Sequence, residues 1–239
     1  SSSRINAERL DMVKKHGSTM PTWLFDMWYP SEYDIAKIDM MWHENPKFLD
    51  NFKKIAPTLK RLYVTGGEPS IIKANTDMIN HLIEIGNKEC HVSFTTNLTT
   101  WNIDLYEKLS FFDKSEVQVS IDGYKKSQEY IRYGSAWEDI DRNFKKLIEL
   151  PDKVRIQIYN VFQVYNIFES HKIMKWLDSL DLKREVAFWP IIIDQPLQLR
   201  ATVIPWNIRD KAAKLYREFY DYTSYNNQYL DLHGAANKI

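Results

Sequence analysis

The sequence predicts an α/β fold with a parallel sheet, arranged as an open, partial barrel. Three observations predict it. From Arg61 onward, runs with the two-residue period of strands alternate with runs of helical period. Five strand-like runs occur, each followed by a helical one, which is the pattern of right-handed βαβ units. Polar and glycine residues gather just after the strand runs, at the edge where parallel α/β sheets bind ligands. Five repeats are too few to close an eight-stranded barrel, and a flat doubly wound sheet is the structural alternative.

The elements follow in order. Residues 3–15 read as a helix. Residues 20–34 (MPTWLFDMWYPSEYD) are aromatic and punctuated by proline, a loop or subunit-facing segment. Its Trp23, Trp28, Tyr29 and Tyr33 suit either core packing or a cover over a substrate or neighbouring domain. Residues 47–59 place Phe48, Phe52, Ile55 and Leu59 on one helical face. Residues 61–65 (RLYVT) form the first strand run. Residues 75–86 carry Met78, Ile79, Leu82, Ile83 and Ile85 after the capping residues Asn75 and Thr76. The later strand runs are 90–96, 116–121, 153–164 and 185–193, the last weakened by Pro190. The later helical runs are 103–111, 136–150, 169–180 and 206–223. Residues 226–239 show little pattern. The organisation expected is one barrel over residues 1–223 and a tail over 224–239.

Lys plus Arg and Asp plus Glu both number 32, so the net charge is zero, which excludes nucleic acid as a partner held by bulk charge. No apolar run reaches the roughly 18 residues of a membrane span. Cys90 is the one cysteine, so neither a disulfide framework nor an all-cysteine metal site fits within this sequence. A single cysteine and no secretory pattern point to the cytoplasm. Cys90 opens a strand run and reads as a core thiol. His16, His43, His81, His91, His171 and His233 lack metal-ligand spacing.

The strand ends carry the candidate site. Gly66-Gly67 in LYVTGGEPS allows close approach to the backbone and unusual dihedral angles. Glu68 offers a carboxylate, and Pro69 removes a donor and fixes the exit of the chain. Such a turn suits a cationic amine better than a phosphate, or it is a tight strand-to-helix turn and nothing more. Thr96-Asn97 and Ser120-Ile121-Asp122-Gly123 close the next two strand runs. Asn97 taken alone is a turn former. Arg132, in EYIRYG, is either solvated or poised to grip a ligand carboxylate.

Taken in order, LYVTGGEPS, FTTNLT and VQVSIDGY…EYIRYG…W resemble the radical S-adenosylmethionine (SAM) superfamily, closest to the twitch-domain subgroup related to SPASM/twitch enzymes. The likeness covers roughly residues 1–205. It implies a partial (β/α)6 TIM-like barrel whose first strand is missing from this chain. It also implies reductive cleavage of SAM to a 5′-deoxyadenosyl radical that abstracts hydrogen from a substrate, a peptide or protein by analogy, with electrons from a donor partner. By resemblance, Gly66, Gly67 and Glu68, with Pro69 behind them, meet the SAM ammonium. Ser120 and Asp122 lie near its ribose or methionine part, and Arg132 takes its carboxylate. Thr96 and Asn97 line the pocket floor or the substrate side. Asn160 is a further cofactor candidate, although Tyr159 stands where the family's strand-end Asn is expected. The family's [4Fe–4S] cluster uses three cysteines in C-x3-C-x2-C, which this chain lacks. The expectation is a fragment that begins after that loop and is inactive alone. The alternative is a clusterless SAM- or ligand-binding module.

Overall fold

The computed structural model describes residues 42–193 and 195–226, together with 11, 14–16, 19, 230 and 231. The 20–34 segment, with Trp23, Trp28, Tyr29 and Tyr33, and residues 232–239 of the tail lie outside the described residues. Two compact units divide the chain, residues 1–56 and residues 57–239.

In the first unit, helix α1 spans Pro46–Ile55. The Asn45 side chain accepts from the Lys47 N–H at 3.0 Å, and Pro46 sits where a missing N–H costs nothing. A 3-10 turn at Ala56–Thr58 follows, because Pro57 cannot extend an α-helix. The helical run 47–59 therefore ends earlier than its apolar spacing suggests.

The second unit carries six parallel strands in simple sequential order: β1 Arg61–Val64, β2 His91–Thr96, β3 Ser115–Ser120, β4 Val154–Phe162, β5 Val186–Ile192 and β6 Leu230–Asp231. Helices connect them: α2 Lys73–Glu84, α3 Ile103–Lys108, α4 Lys126–Ile131, α5 Trp137–Leu147, α6 Ser170–Asp178 and α7 Trp206–Asn226. The order never reverses, so every right-handed crossover lies on the same side of the sheet. This is the winding of a barrel, and it excludes the doubly wound alternative, which needs a reversal.

The register sorts the side chains. Val92, Phe94, Val117, Val119, Ile156, Ile158, Val186 and Phe188 share one face and are buried. Helix residues Met78, Ile79, Leu82, Ile140, Phe144, Leu147, Ile173 and Leu177 are buried as well. Burying one such side chain contributes about 1.5–3 kcal/mol. An aromatic chain runs through Tyr124, Trp137, Trp176 and Phe144, with successive ring centroids 4.9, 5.0 and 4.9 Å apart. Trp176 Nε1 donates to Asp141 Oδ1 at 2.7 Å, which joins α6 to α5. Among the described residues no helix is long and apolar enough to cross a membrane.

Three features depart from the sequence reading. Strand β5 runs straight through Pro190. Ile193 N donates to Phe162 O, so by alternation the missing N–H of Pro190 faces away from β4 and costs no bond of the β4–β5 ladder. The patternless tail supplies β6, which pairs Leu230 and Asp231 with Val186 and Ala187. Two residues of backbone pairing leave no periodic signature. Helix α4, six residues long, also has no sequence period to betray it.

Candidate functional site

The predicted site residues form two hydrogen-bonded groups at the carboxyl edge of the sheet. The first is built on the ends of β1 and β2. Gly66 and Gly67 take φ of +89° and +60°, the left-handed region that glycine tolerates, and both are exposed. A Cβ at either position would meet nothing within 4 Å, so their backbone faces open space. Thus the turn demands glycine for its dihedral angles and leaves its peptide groups accessible.

Glu68 is buried, and its carboxylate is held by four donors. Oε1 accepts from Ser70 N (3.2 Å), Ser70 Oγ (2.8 Å) and Thr96 Oγ1 (2.8 Å), and Oε2 accepts from Asn97 N (2.9 Å). The carboxylate thus ties the β1 turn to the end of β2. Pro69 opens a short 3-10 turn capped by Glu68, and its carbonyl accepts from Asn75 Nδ2 at 3.0 Å. Thr96 is saturated too, accepting from Leu98 N (2.9 Å) and Tyr106 Oη (3.3 Å). Burial, with the Glu68 charge second, pushes the Tyr106 phenol far above its ordinary range. Asn97 Oδ1 accepts from Thr99 N (2.9 Å) and Thr99 Oγ1 (2.7 Å), the turn role expected of it taken alone.

The second group sits on the ends of β3 and β4. Asp122 is buried; its Oδ2 accepts from Arg132 Nε at 2.6 Å and its Oδ1 from Val161 N at 2.7 Å. Arg132 is half-buried, and among the described residues its guanidinium makes one hydrogen bond, through Nε, and none through its terminal nitrogens. Ser120 is half-buried, and among the described residues its hydroxyl makes no hydrogen bond. Asn160 is fully buried; its Nδ2 donates to Ile121 O at 2.8 Å and its Oδ1 has no donor. It braces the strand end from the helix-covered face.

Two further residues hold this group together. Gln128 Oε1 accepts from Asp122 N (2.8 Å) and Gly123 N (3.0 Å). Asn166 Nδ2 donates to Asp122 O and Val161 O, both at 2.7 Å. Gly123 makes the first contact possible, since a Cβ there would lie 2.6 Å from Ser127 Oγ and 2.7 Å from Gln128 N. The only local hint was a buried-helix amide in KSQEYI and an Asn beside apolar residues in VYNIF. Ser70 was hidden likewise, although it lies within the quoted motif.

The sheet face opposite the helices is polar. Tyr63 Oη lies 2.9 Å from Thr95 Oγ1, Thr95 Oγ1 donates to Gln118 Oε1 at 2.8 Å, and Gln118 Nε2 donates to Glu116 Oε1 at 2.6 Å. Tyr159 Oη donates to Gln157 Oε1 at 3.1 Å. A closed barrel fills this interior with branched aliphatic side chains; here it offers hydrogen-bonding groups, with Tyr63 and Trp189 exposed above them. Among the described residues no group of three His, Cys, Asp or Glu side chains is arranged to hold a metal. Cys90 is fully buried, and burial raises its thiol pKa. It lies just before β2, at the end of the sheet away from the two groups.

The model of the radical SAM superfamily matches residues 33–177, more than half of the chain. No curated protein matches the chain. Among solved structures, Streptococcus suis SuiB bound to S-adenosylmethionine is similar, with a TM-score of 0.52 and 12% identity over 76% of this chain and 42% of that one. SuiB bound to its precursor peptide SuiA gives 0.52 and 11% over 79% and 44%. Native anSMEcpe with bound AdoMet gives 0.52 and 19% over 76% and 52%. At these identities the likeness concerns the fold, a partial barrel, and the chain spans about half the length of the structures it matches.

Proposed function

Because the chain belongs to the radical SAM superfamily, we propose that the carboxyl edge of its sheet is a SAM site, and that the chain is the SAM-binding part of a radical enzyme of the twitch type. One observation carries this reading: two complementary features face the same edge. The Gly66–Gly67 turn after β1 is exposed, and Arg132 after β3 is anchored by Nε alone among the described residues. An α-amino acid zwitterion needs that combination, an acceptor set for its ammonium and a fork for its carboxylate.

The residues fit SAM in distinct ways. The turn carbonyls receive the ammonium. Glu68 acts first as a strut, because four protein donors already occupy its carboxylate. Thr96, Asn97 and Pro69 hold that strut in place. Arg132 is aimed by Asp122, whose other oxygen is fixed on Val161 N. The Ser120 hydroxyl is uncommitted and suits a ribose hydroxyl, while Asn160 supports the strand end from behind. Bound SAM supplies one-electron chemistry that ends in hydrogen abstraction from a substrate. An iron–sulfur cluster does not fit these residues, since its thiolate set exceeds the single buried Cys90. The polar face with Tyr63, Gln118 and Tyr159 suits a substrate rich in amide groups, and we infer a peptide.

The test is a calorimetric titration of SAM into the chain. We expect binding that weakens at least about tenfold in Arg132→Gln, the loss of one charge-assisted bidentate contact. Unchanged affinity in that variant, or no binding to the chain, refutes the assignment. A clusterless binding module is the second reading, favoured by the lone buried cysteine. The two readings separate on reduction in the presence of the family's cluster loop. The enzyme releases methionine and 5′-deoxyadenosine, whereas a binding module leaves SAM intact.

A further inference from the structure

A cavity of about 340 Å³ lies behind the carboxyl ends of β4 and β5, beneath α7. None of its lining residues belongs to the proposed SAM-contacting set. Phe162 and Ile192, register partners on adjacent strands, form its floor from the helix-covered face. Ile167 and the buried Tyr216 form its walls, with Tyr216 packed edge-on against Phe162 at 5.6 Å. Ala212 and Ala213 leave room on the helix face above. The volume falls in the usual range for small-molecule sites, about 300–1,000 Å³.

The charge of this apolar cavity is one-sided. Arg200, Arg209 and Arg217 line it, against the single acid Asp210. Asp210 is itself bound by Lys214, with Nζ to Oδ2 at 2.9 Å. Arg209 lies over the Trp206 ring, its Cζ 5.4 Å from the ring centroid, within cation–π range. Its Nε is buried and, among the described residues, donates to no acceptor. A buried guanidinium donor without an acceptor is costly, and an oxyanion is an acceptor whose charge matches it. The proposed SAM chemistry uses none of these residues.

We propose that this cavity is a second ligand site, for a small organic anion whose carboxylate or phosphate meets Arg209 and whose apolar body fills the space between Phe162, Ile192 and Tyr216. The inference stands on the cavity and does not depend on SAM binding.

Titrating phenyl phosphate, benzoate, inorganic phosphate and benzyl alcohol into the chain tests it, with the Trp206 indole resonance as the local readout. Saturable binding of phenyl phosphate or benzoate is expected, and whichever of the two binds more tightly identifies the headgroup. Benzyl alcohol lacks the charge and inorganic phosphate lacks the body, so both bind at least about tenfold more weakly. Arg209→Gln weakens the aromatic anions by a similar factor, while Arg132→Gln leaves them unchanged. Should Arg209→Gln fail to fold, by circular dichroism, exposed Arg217→Gln takes its place with the same expectation. Binding that is equal for benzyl alcohol or inorganic phosphate, insensitive to the Arg209 or substitute Arg217 change, lost in Arg132→Gln, or absent for all four probes overturns the proposal.

Discussion

Replacing Glu68 with Gln converts one carboxylate oxygen to an NH2 group at nearly constant volume. In the native chain both oxygens are acceptors, Oε1 for Ser70 N, Ser70 Oγ and Thr96 Oγ1, and Oε2 for Asn97 N. Either orientation of the new amide turns its NH2 toward a backbone N–H, that of Asn97 or that of Ser70. The Ser70 and Thr96 hydroxyls can rotate to compensate, but a backbone N–H cannot. One backbone donor therefore loses its acceptor, at about 1–3 kcal/mol, and the surviving bonds lose their charge assistance, at about 0.5–1 kcal/mol each. A total near 3 kcal/mol lowers Tm by about 6–12 °C in a chain of this size. Thermal melts followed by far-UV circular dichroism measure the shift, and a SAM titration well below the melt measures binding in the same sample. The strut assignment predicts a large loss of stability and a smaller loss of affinity. A Tm within about 1–2 °C of the native value, with SAM binding abolished, would overturn the strut assignment and make Glu68 a ligand group instead.

Other expectations follow from single positions. Gly67→Ala meets no steric neighbour, yet its φ of +60° makes the side chain costly by about 1–2 kcal/mol, readable as a lower midpoint in urea. Burial, reinforced by Lys175 and Lys172, holds His171 below its ordinary pKa, so the folded state favours the neutral ring. The stability this gives is present above the unfolded value of about 6.5 and falls as pH drops below it toward the depressed folded value. His171→Phe should flatten that acid limb of the stability profile. Cys90, buried and with its thiol raised by burial, should resist a thiol reagent in the native chain and react fully in denaturant. Fast native labelling would contradict its placement.

Most elements and their order were legible in the sequence, α4 and β6 excepted. Strand and helix periods differ, and each is set by neighbours within a few residues, so RLYV, SEVQVS and the Trp137–Leu147 stripe were readable where they stood. The double glycine before Glu68 was equally legible, because a left-handed turn is a local demand that few other residues meet. The direction of winding and the partners of each polar group were decided only in three dimensions. Glu68 reads as an available carboxylate in the sequence, but Thr96 and Asn97, 28 and 29 residues away, occupy it once β1 and β2 align. Arg132 becomes an aimed fork only through Asp122. That geometry in turn needs Gln128 on the chain leaving β3 and Asn166 after β4, amides whose roles depend on a fold-wide register. The basic cavity under α7 has the same origin. Its arginines sit at ordinary spacing in the sequence, and only the packing of α7 over Phe162 and Ile192 leaves Arg209 Nε buried without an acceptor.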